Sequence, residues 1–84
     1  MRLYIFRGCG TNGSGELRGV MVVSANNVEN AISMLKSEIK DTPVDAEISV
    51  SPAKSNQIIW YLKDELSSPT EESKIVFSDY FFVS

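Results

Sequence analysis

The beginning of the chain carries the two-residue apolar alternation that is typical of β-strands. Residues 2–7 place apolar side chains on both faces, and residues 16–24 continue as a second strand. Between them, Asn12-Gly13 favours a tight type I′ turn because both residue types tolerate a positive φ. We therefore predict a β-hairpin.

From about residue 26 the apolar period changes from two to 3.6, which predicts an amphipathic helix. Asn26 is a suitable N-cap, Glu29 then falls at the third helical position, and Thr42-Pro43 disfavours continuation of the helix. The apolar stripe consists of Val28, Ala31, Ile32, Leu35 and Ile39.

Three further segments favour strands. Residues 45–50 alternate in the manner of a half-buried antiparallel strand. Residues 54–66 fit either a strand or a helix, and we favour a strand because the IIWY segment is rich in β-formers. Residues 74–83 are rich in β-branched and aromatic side chains and predict the last strand.

The predicted element order is ββαβββ. This order indicates an α+β fold in which a small antiparallel sheet has one amphipathic helix packed on one face. A chain of 84 residues has room for one domain, and we expect residues 1–84 to form it.

The composition excludes much of the usual catalytic chemistry. The chain has no histidine and one cysteine, so a Ser-His-Asp triad, a Cys-His pair and a thiolate metal cage are excluded. We expect no enzyme activity, no catalytic residues, no cofactor and no metal.

Charge and apolar run lengths bear on partners and location. A net charge of -3 argues against a dedicated nucleic-acid binder. Apolar runs of about five residues are far too short to cross a bilayer, for which roughly 20 are needed. The free thiol of Cys9 fits a reducing compartment, so we expect a cytoplasmic protein with no membrane contact.

The glycine run RGCGTNGSGEL matches the GxGxxG pattern of dinucleotide-binding proteins. In those proteins the glycines open a helix, whereas the segment that follows here, LRGVMVV, is strand-like. A hairpin connection is the favoured interpretation, and a nucleotide or small-ligand site in the Gly8–Gly15 loop is the alternative.

Aromatic residues are concentrated in the last third of the chain. Adjacent aromatics in a strand point to opposite faces, so a sheet that is buried on one side leaves some of them exposed. This predicts either a partner surface or coverage of these residues by the helix, by loops or by a second copy of the chain. The residues concerned are Trp60, Tyr61, Tyr80, Phe81 and Phe82.

The segment YIFRGCGTNGSGELRGVMVVSANNVENAI, residues 4–32, resembles the opening of the small type II-C anti-CRISPR inhibitors. The tail around Ser78 is similar as well, with Asp79 where the family has cysteine and Tyr80 where it has tryptophan. The resemblance implies a phage-encoded protein that blocks an RNA-guided nuclease by covering its HNH active site. It also implies that Ser78 and Asp79 approach the catalytic histidine of that domain.

We therefore expect a stoichiometric inhibitor from a phage or mobile element, whose partner is a host defence nuclease complex. A structural subunit that forms a homo-oligomer and a small-ligand binder are the alternatives. The expected partner-binding residues are Ser78, Asp79, Tyr80, Trp60, Tyr61 and Asn12.

Overall fold

The computed structural model describes residues 1–13, 15–39, 47–49 and 58–83. These form β1 (Arg2–Asn12), β2 (Gly15–Ala25), α1 (Val28–Ile39), β3 (Glu47–Ser49), β4 (Ile59–Ser67) and β5 (Lys74–Val83). The described strands form one sheet in the order β3-β4-β1-β2-β5. The predicted element order and the α+β class are confirmed.

The β1–β2 hairpin is longer than predicted. The ladder runs from the pair Arg2–Ala25 to the pair Asn12–Gly15, so Gly8, Gly10 and Gly15 lie inside the two strands and Gly13 lies between them. The predicted placement of Asn12-Gly13 at the centre of the turn is wrong by one residue, because Asn12 is still paired. Register is fixed by the apolar pairs that face the core, and that register leaves residues 13–14 as the connection.

The helix begins one residue later than predicted. The Asn30 backbone N–H donates to Asn27 Oδ1 at 2.8 Å, so the N-cap is Asn27 rather than Asn26, and Asn30 takes the position predicted for Glu29. Since β2 continues through Ala25, the first asparagine is used in the connection. The apolar stripe is confirmed by burial of Ala31, Leu35 and Ile39. The predicted stop at residues 42–43 lies outside the described residues.

The third strand runs in the opposite sense to the prediction. Its described part, Glu47–Ser49, pairs in parallel with β4, whereas the other three pairings in the sheet are antiparallel. Alternation shows that one face of a short segment is buried, but it carries no information on strand direction. Residues 45, 46 and 50 of the predicted strand lie outside the described part of the chain.

The last two strands agree with the sequence. The choice of a strand within residues 54–66 is confirmed by β4, Ile59–Ser67, and residues 54–57 lie outside the described residues. The predicted bounds of the final strand match those of β5.

The helix covers one face of the sheet, which we call the helix face. Paired residues of neighbouring strands share a face, so the buried rows Tyr4–Val23 and Phe6–Met21 lie together under the helix. The helix contributes Ala31 to the same core. Further members of this core are Leu17, Ala25, Leu35, Ile39, Ile58 and Trp60.

Burial at the helix face makes Tyr4 sensitive to alkaline pH. Its side chain is 4% exposed, and this burial raises the pKa of Tyr4 above the ordinary 10.0, as does the nearby Glu65 carboxylate. Between pH 10.0 and the raised pKa, the Tyr4 hydroxyl has lost its proton in the unfolded chain and keeps it in the folded chain. The contribution of protonated Tyr4 to the free energy of unfolding is therefore complete below pH 10.0 and is lost as the pH rises through the raised pKa.

We therefore expect the free energy of unfolding to fall above about pH 10, and less steeply in Tyr4→Phe. Urea denaturation of both proteins at increasing alkaline pH measures the two slopes. Equal slopes would show that Tyr4 ionises alike in the folded and unfolded states.

Candidate functional site

Two glycines and two aromatic residues form one row across the sheet, which we call the glycine–aromatic row. The register pairs Trp60 with Gly8, Gly8 with Gly19, and Gly19 with Tyr80. Trp60 and Tyr80 therefore stand three strands apart on the helix face, with two positions that lack side chains between them. Their rings meet over the glycines edge to face, with centroids 5.5 Å apart and planes at 86°.

Both glycines are required by this close approach. A Cβ on Gly8 would lie 2.9 Å from ring atoms of Trp60. A Cβ on Gly19 would lie 2.5 Å from the Cα of Tyr80 and 2.8 Å from the carbonyl oxygen of Asp79. The obstacle at Gly19 is therefore the backbone of β5, which cannot move without loss of the β2–β5 pairing.

The glycine–aromatic row includes two of the predicted contact residues, and it buries one of them. Trp60 is 1% exposed, so in this conformation its ring belongs to the core and is not available to a partner. Tyr80 is half-buried, and its hydroxyl donates to the carbonyl oxygen of Glu38 at 3.4 Å. Its ring also contacts the Trp60 ring. These two aromatics hold β5 and the helix in place.

The opposite face of the sheet, which we call the open face, has no described helix or strand over it. Its side chains include Tyr61, Asp64 and Leu66 of β4, Leu3, Ile5, Arg7 and Cys9 of β1, Glu16, Arg18, Val20 and Val22 of β2, and Phe77, Asp79, Phe81 and Val83 of β5. Two further residues of this face, Ile59 beside Cys9 and Ser24 beside Leu3, are buried. Phe77 is 51% exposed and Phe81 is 54% exposed. Exposed apolar side chains on contiguous strands mark an interaction surface.

The strand β5 lies at one end of the sheet, with its outer side unpaired among the described residues. Ser78 and Asp79 are both exposed near its middle, and they point to opposite faces. Ser78 shares the helix face with Met21, whereas Asp79 shares the open face with Val20. The two residues therefore flank the sheet edge.

The remaining predicted contact residues lie apart from Ser78. Tyr61 is half-buried on the open face, in the row that runs through Arg7 and Val20 to Asp79. Asn12 ends β1 at the tip of the hairpin. The structure therefore brings Tyr61 and Asp79 to one face and separates both from Ser78 and from the glycine–aromatic row.

One charged pair on the open face was not anticipated from the sequence. Arg7 and Asp79 flank Val20 in the same row, two strands apart, and both are exposed. Among the residues that the structure describes, no hydrogen bond or ion pair is found for either side chain. The sequence alone does not reveal this pair, because Arg7 and Asp79 are brought into one row only by the register between β1, β2 and β5.

The glycine run has the geometry of a hairpin. Gly8 and Gly10 lie in β1 and Gly15 lies in β2, so the segment opens no helix that could hold a phosphate at its N-terminus. Gly10 has a φ of 114°, which L-residues rarely adopt. Cys9 is part-buried on the open face.

Metal-binding and membrane-spanning features were also sought in the described ranges. There, no three Cys, Asp or Glu side chains come close enough together to hold a metal ion. The helix in that part of the chain is too short and too polar to cross a membrane.

No family model, curated protein or solved structure matches the chain at a significant level. The geometry of the open face and of the β5 edge therefore carries the functional argument.

Proposed function

We propose that this protein is a stoichiometric inhibitor, borne by a phage or mobile element, that binds a host defence nuclease complex through the outer edge of β5. The observation that carries the proposal is the exposure of Ser78 and Asp79 at the middle of an edge strand of ten residues, whose outer side is unpaired among the residues that the structure describes. An edge strand of this kind offers backbone N–H and C=O groups to another chain.

The side chains of β5 suit a protein partner. Phe77 and Phe81 lie on the open-face side of the strand and are each more than half exposed. Aromatic side chains of this kind anchor protein interfaces when a partner buries them. Hydrogen bonds to charged groups contribute about 1.5 to 3 kcal/mol, so the affinity depends on these aromatics as well as on Ser78 and Asp79.

The resemblance to the type II-C anti-CRISPR inhibitors supplies the target class. It implies an RNA-guided nuclease whose HNH active site is covered, with Ser78 hydrogen-bonded near the catalytic histidine and Asp79 facing its cationic form. The chain then acts by occlusion, one copy for each nuclease, with no turnover.

A nucleotide-binding role has less support from the geometry. Gly8, Gly10 and Gly15 occupy two paired strands, Gly13 lies between these strands, and the position of Gly8 is explained by the Trp60 ring. The homo-oligomer hypothesis concerns the open face and is compatible with the edge-binding role.

We expect Ser78→Arg to weaken binding to a purified type II-C RNA-guided nuclease by about tenfold or more, because a long cation replaces a small hydroxyl at the centre of the contact. Isothermal titration calorimetry with the intact nuclease measures the effect. The matched control is Ser67→Arg, which places the same change on an exposed strand residue of β4.

The control variant should bind the nuclease as the original chain does. An equal loss in both variants, or no binding by the original chain, would remove this proposal. Circular dichroism of both variants verifies that each retains its fold.

A further inference from the structure

We propose that the open face is the interface of a symmetric dimer, in which two copies of this chain pack sheet against sheet. The exposed apolar side chains of β5 and β2 lie on this face, and the helix lies on the other. The proposed contact uses the part of this face formed by β1, β2 and β5, which are neighbours in that order. It leaves β4, on the far side of β1, outside the interface.

The charges on this face favour a second copy as the occupant. In a two-fold interface the same patch of both copies is in contact. A residue that lies away from the axis therefore meets a different residue of the other copy, and these two residues must be complementary. Arg7 and Asp79 have opposite charges and lie at equal strand distances on either side of Val20. No partner for either is found within the described residues.

A two-fold axis that runs along β2, in the plane between the two sheets, exchanges the positions of β1 and β5. Arg7 of each copy then lies over Asp79 of the other copy, and two ion pairs flank the Val20 side chains. In the neighbouring row on this face, which contains Val22, Ile5 of each copy lies over Phe77 of the other copy. Strands of the two sheets run roughly aligned, which is a common packing of twisted sheets.

This axis creates two like-charged contacts, Arg18 and Glu16 of β2 each with its own symmetry mate, and the ion pair between these two residues compensates both. Arg18 lies on β2, close to the axis, and meets its own symmetry mate. Its guanidinium is paired with Glu16 within the same chain. The long side chain is 70% exposed, so it has room to turn outward.

The dimer goes beyond the proposed inhibitor function and can fail independently of it. Arg7 lies two strands from the outer edge of β5, and Ser78 lies on the helix face. Phe77, Asp79 and Phe81 belong to both surfaces, so we expect the nuclease to bind the monomer. Substitution of Arg7 thus tests the dimer, and substitution of Ser78 tests nuclease binding.

Charge reversal gives the first test, by sedimentation equilibrium of the purified chain across a wide concentration range. We expect the original chain to dimerise, and we expect Arg7→Asp and Asp79→Arg each to raise the dimer dissociation constant by about tenfold or more. The double variant exchanges the two charges and should restore dimerisation. Both substituted positions are exposed, so the variants should keep their fold.

Disulfide trapping gives the second test. Cys9 lies in the row of Phe81, and the proposed axis places each Cys9 over Phe81 of the other copy. Phe81→Cys should therefore form a covalent dimer rapidly when diamide is added, whereas Phe82→Cys, which faces the helix, should not. Non-reducing gel electrophoresis separates the products.

A chain that stays monomeric at all concentrations would overturn the proposal. Dimers that survive both single charge reversals, or Phe82→Cys cross-linking as fast as Phe81→Cys, would also overturn it, because the contact would then lie elsewhere on the molecule.

Discussion

Gly19→Ala should remove about 3 kcal/mol or more from the free energy of unfolding, the largest loss expected for so small a change in this chain. The added Cβ would lie 2.5 Å from the Cα of Tyr80 and 2.8 Å from the Asp79 carbonyl oxygen. These close contacts can be relieved only if β5 moves away from β2. Since an 84-residue domain has about 4 to 13 kcal/mol in total, the variant should unfold at far lower urea concentration.

Two other glycines provide graded controls for this experiment. Gly13→Ala should change the stability by about 0.5 kcal/mol or less, because no atom lies within 4 Å of the added Cβ. Gly8→Ala should fall between the two, since only the Trp60 ring must move. Fluorescence of Trp60, the single tryptophan, follows unfolding in all three. Equal stability of the Gly19 and Gly13 variants would contradict the register of β2 and β5.

Trp60→Ala should cost about 3 to 5 kcal/mol, the range for truncation of a large buried aromatic. The ring is 1% exposed, it fills the space above Gly8, and it forms the edge-to-face contact with Tyr80. Because two neighbouring positions of the row have no side chain, the cavity cannot be filled from within the row. Denaturation followed by circular dichroism measures the loss.

The matched control is Tyr61→Ala, at the next residue of the same strand. Its side chain points to the open face and is half-buried, so truncation should cost about 1 kcal/mol. If Tyr61→Ala proved as costly as Trp60→Ala, the assignment of the two faces of β4 would be wrong.

The elements of this fold could be predicted because each has a clear local pattern. Alternation located the strands, and the 3.6-residue stripe located the helix with its buried Ala31 and Leu35. Bounds were less certain where two residues qualified for one role, as Asn26 and Asn27 did for the N-cap. The parallel direction of β3 could not be predicted, since direction depends on tertiary placement and not on local alternation.

The glycine–aromatic row could not be predicted because it depends on the register of four strands. The sequence predicts Trp60 and Tyr80 on a partner surface, because a sheet that is buried on one side leaves some of its adjacent aromatic residues exposed. Gly8 and Gly19 have no side chains, and the space that this leaves above the sheet is occupied by Trp60 and Tyr80. Glycine inside a strand pattern was the available signal, because it often marks a close approach.

The position of Ser78 and Asp79 was predictable only in part. Their strand could be read from the sequence, whereas its place at the edge of the sheet could not. That placement exposes both residues and also brings Asp79 into one row with Arg7. The open face thus combines residues from β1, β2, β4 and β5.

The central claim, that this protein acts by binding one target molecule rather than by catalysis, is tested most directly by titration of nuclease activity. A type II-C RNA-guided nuclease is held at a concentration well above the dissociation constant, and DNA cleavage is measured as the chain is added. We predict that cleavage falls along a straight line and ends at one chain per nuclease. Cleavage that persists at a large excess of the chain would contradict the account.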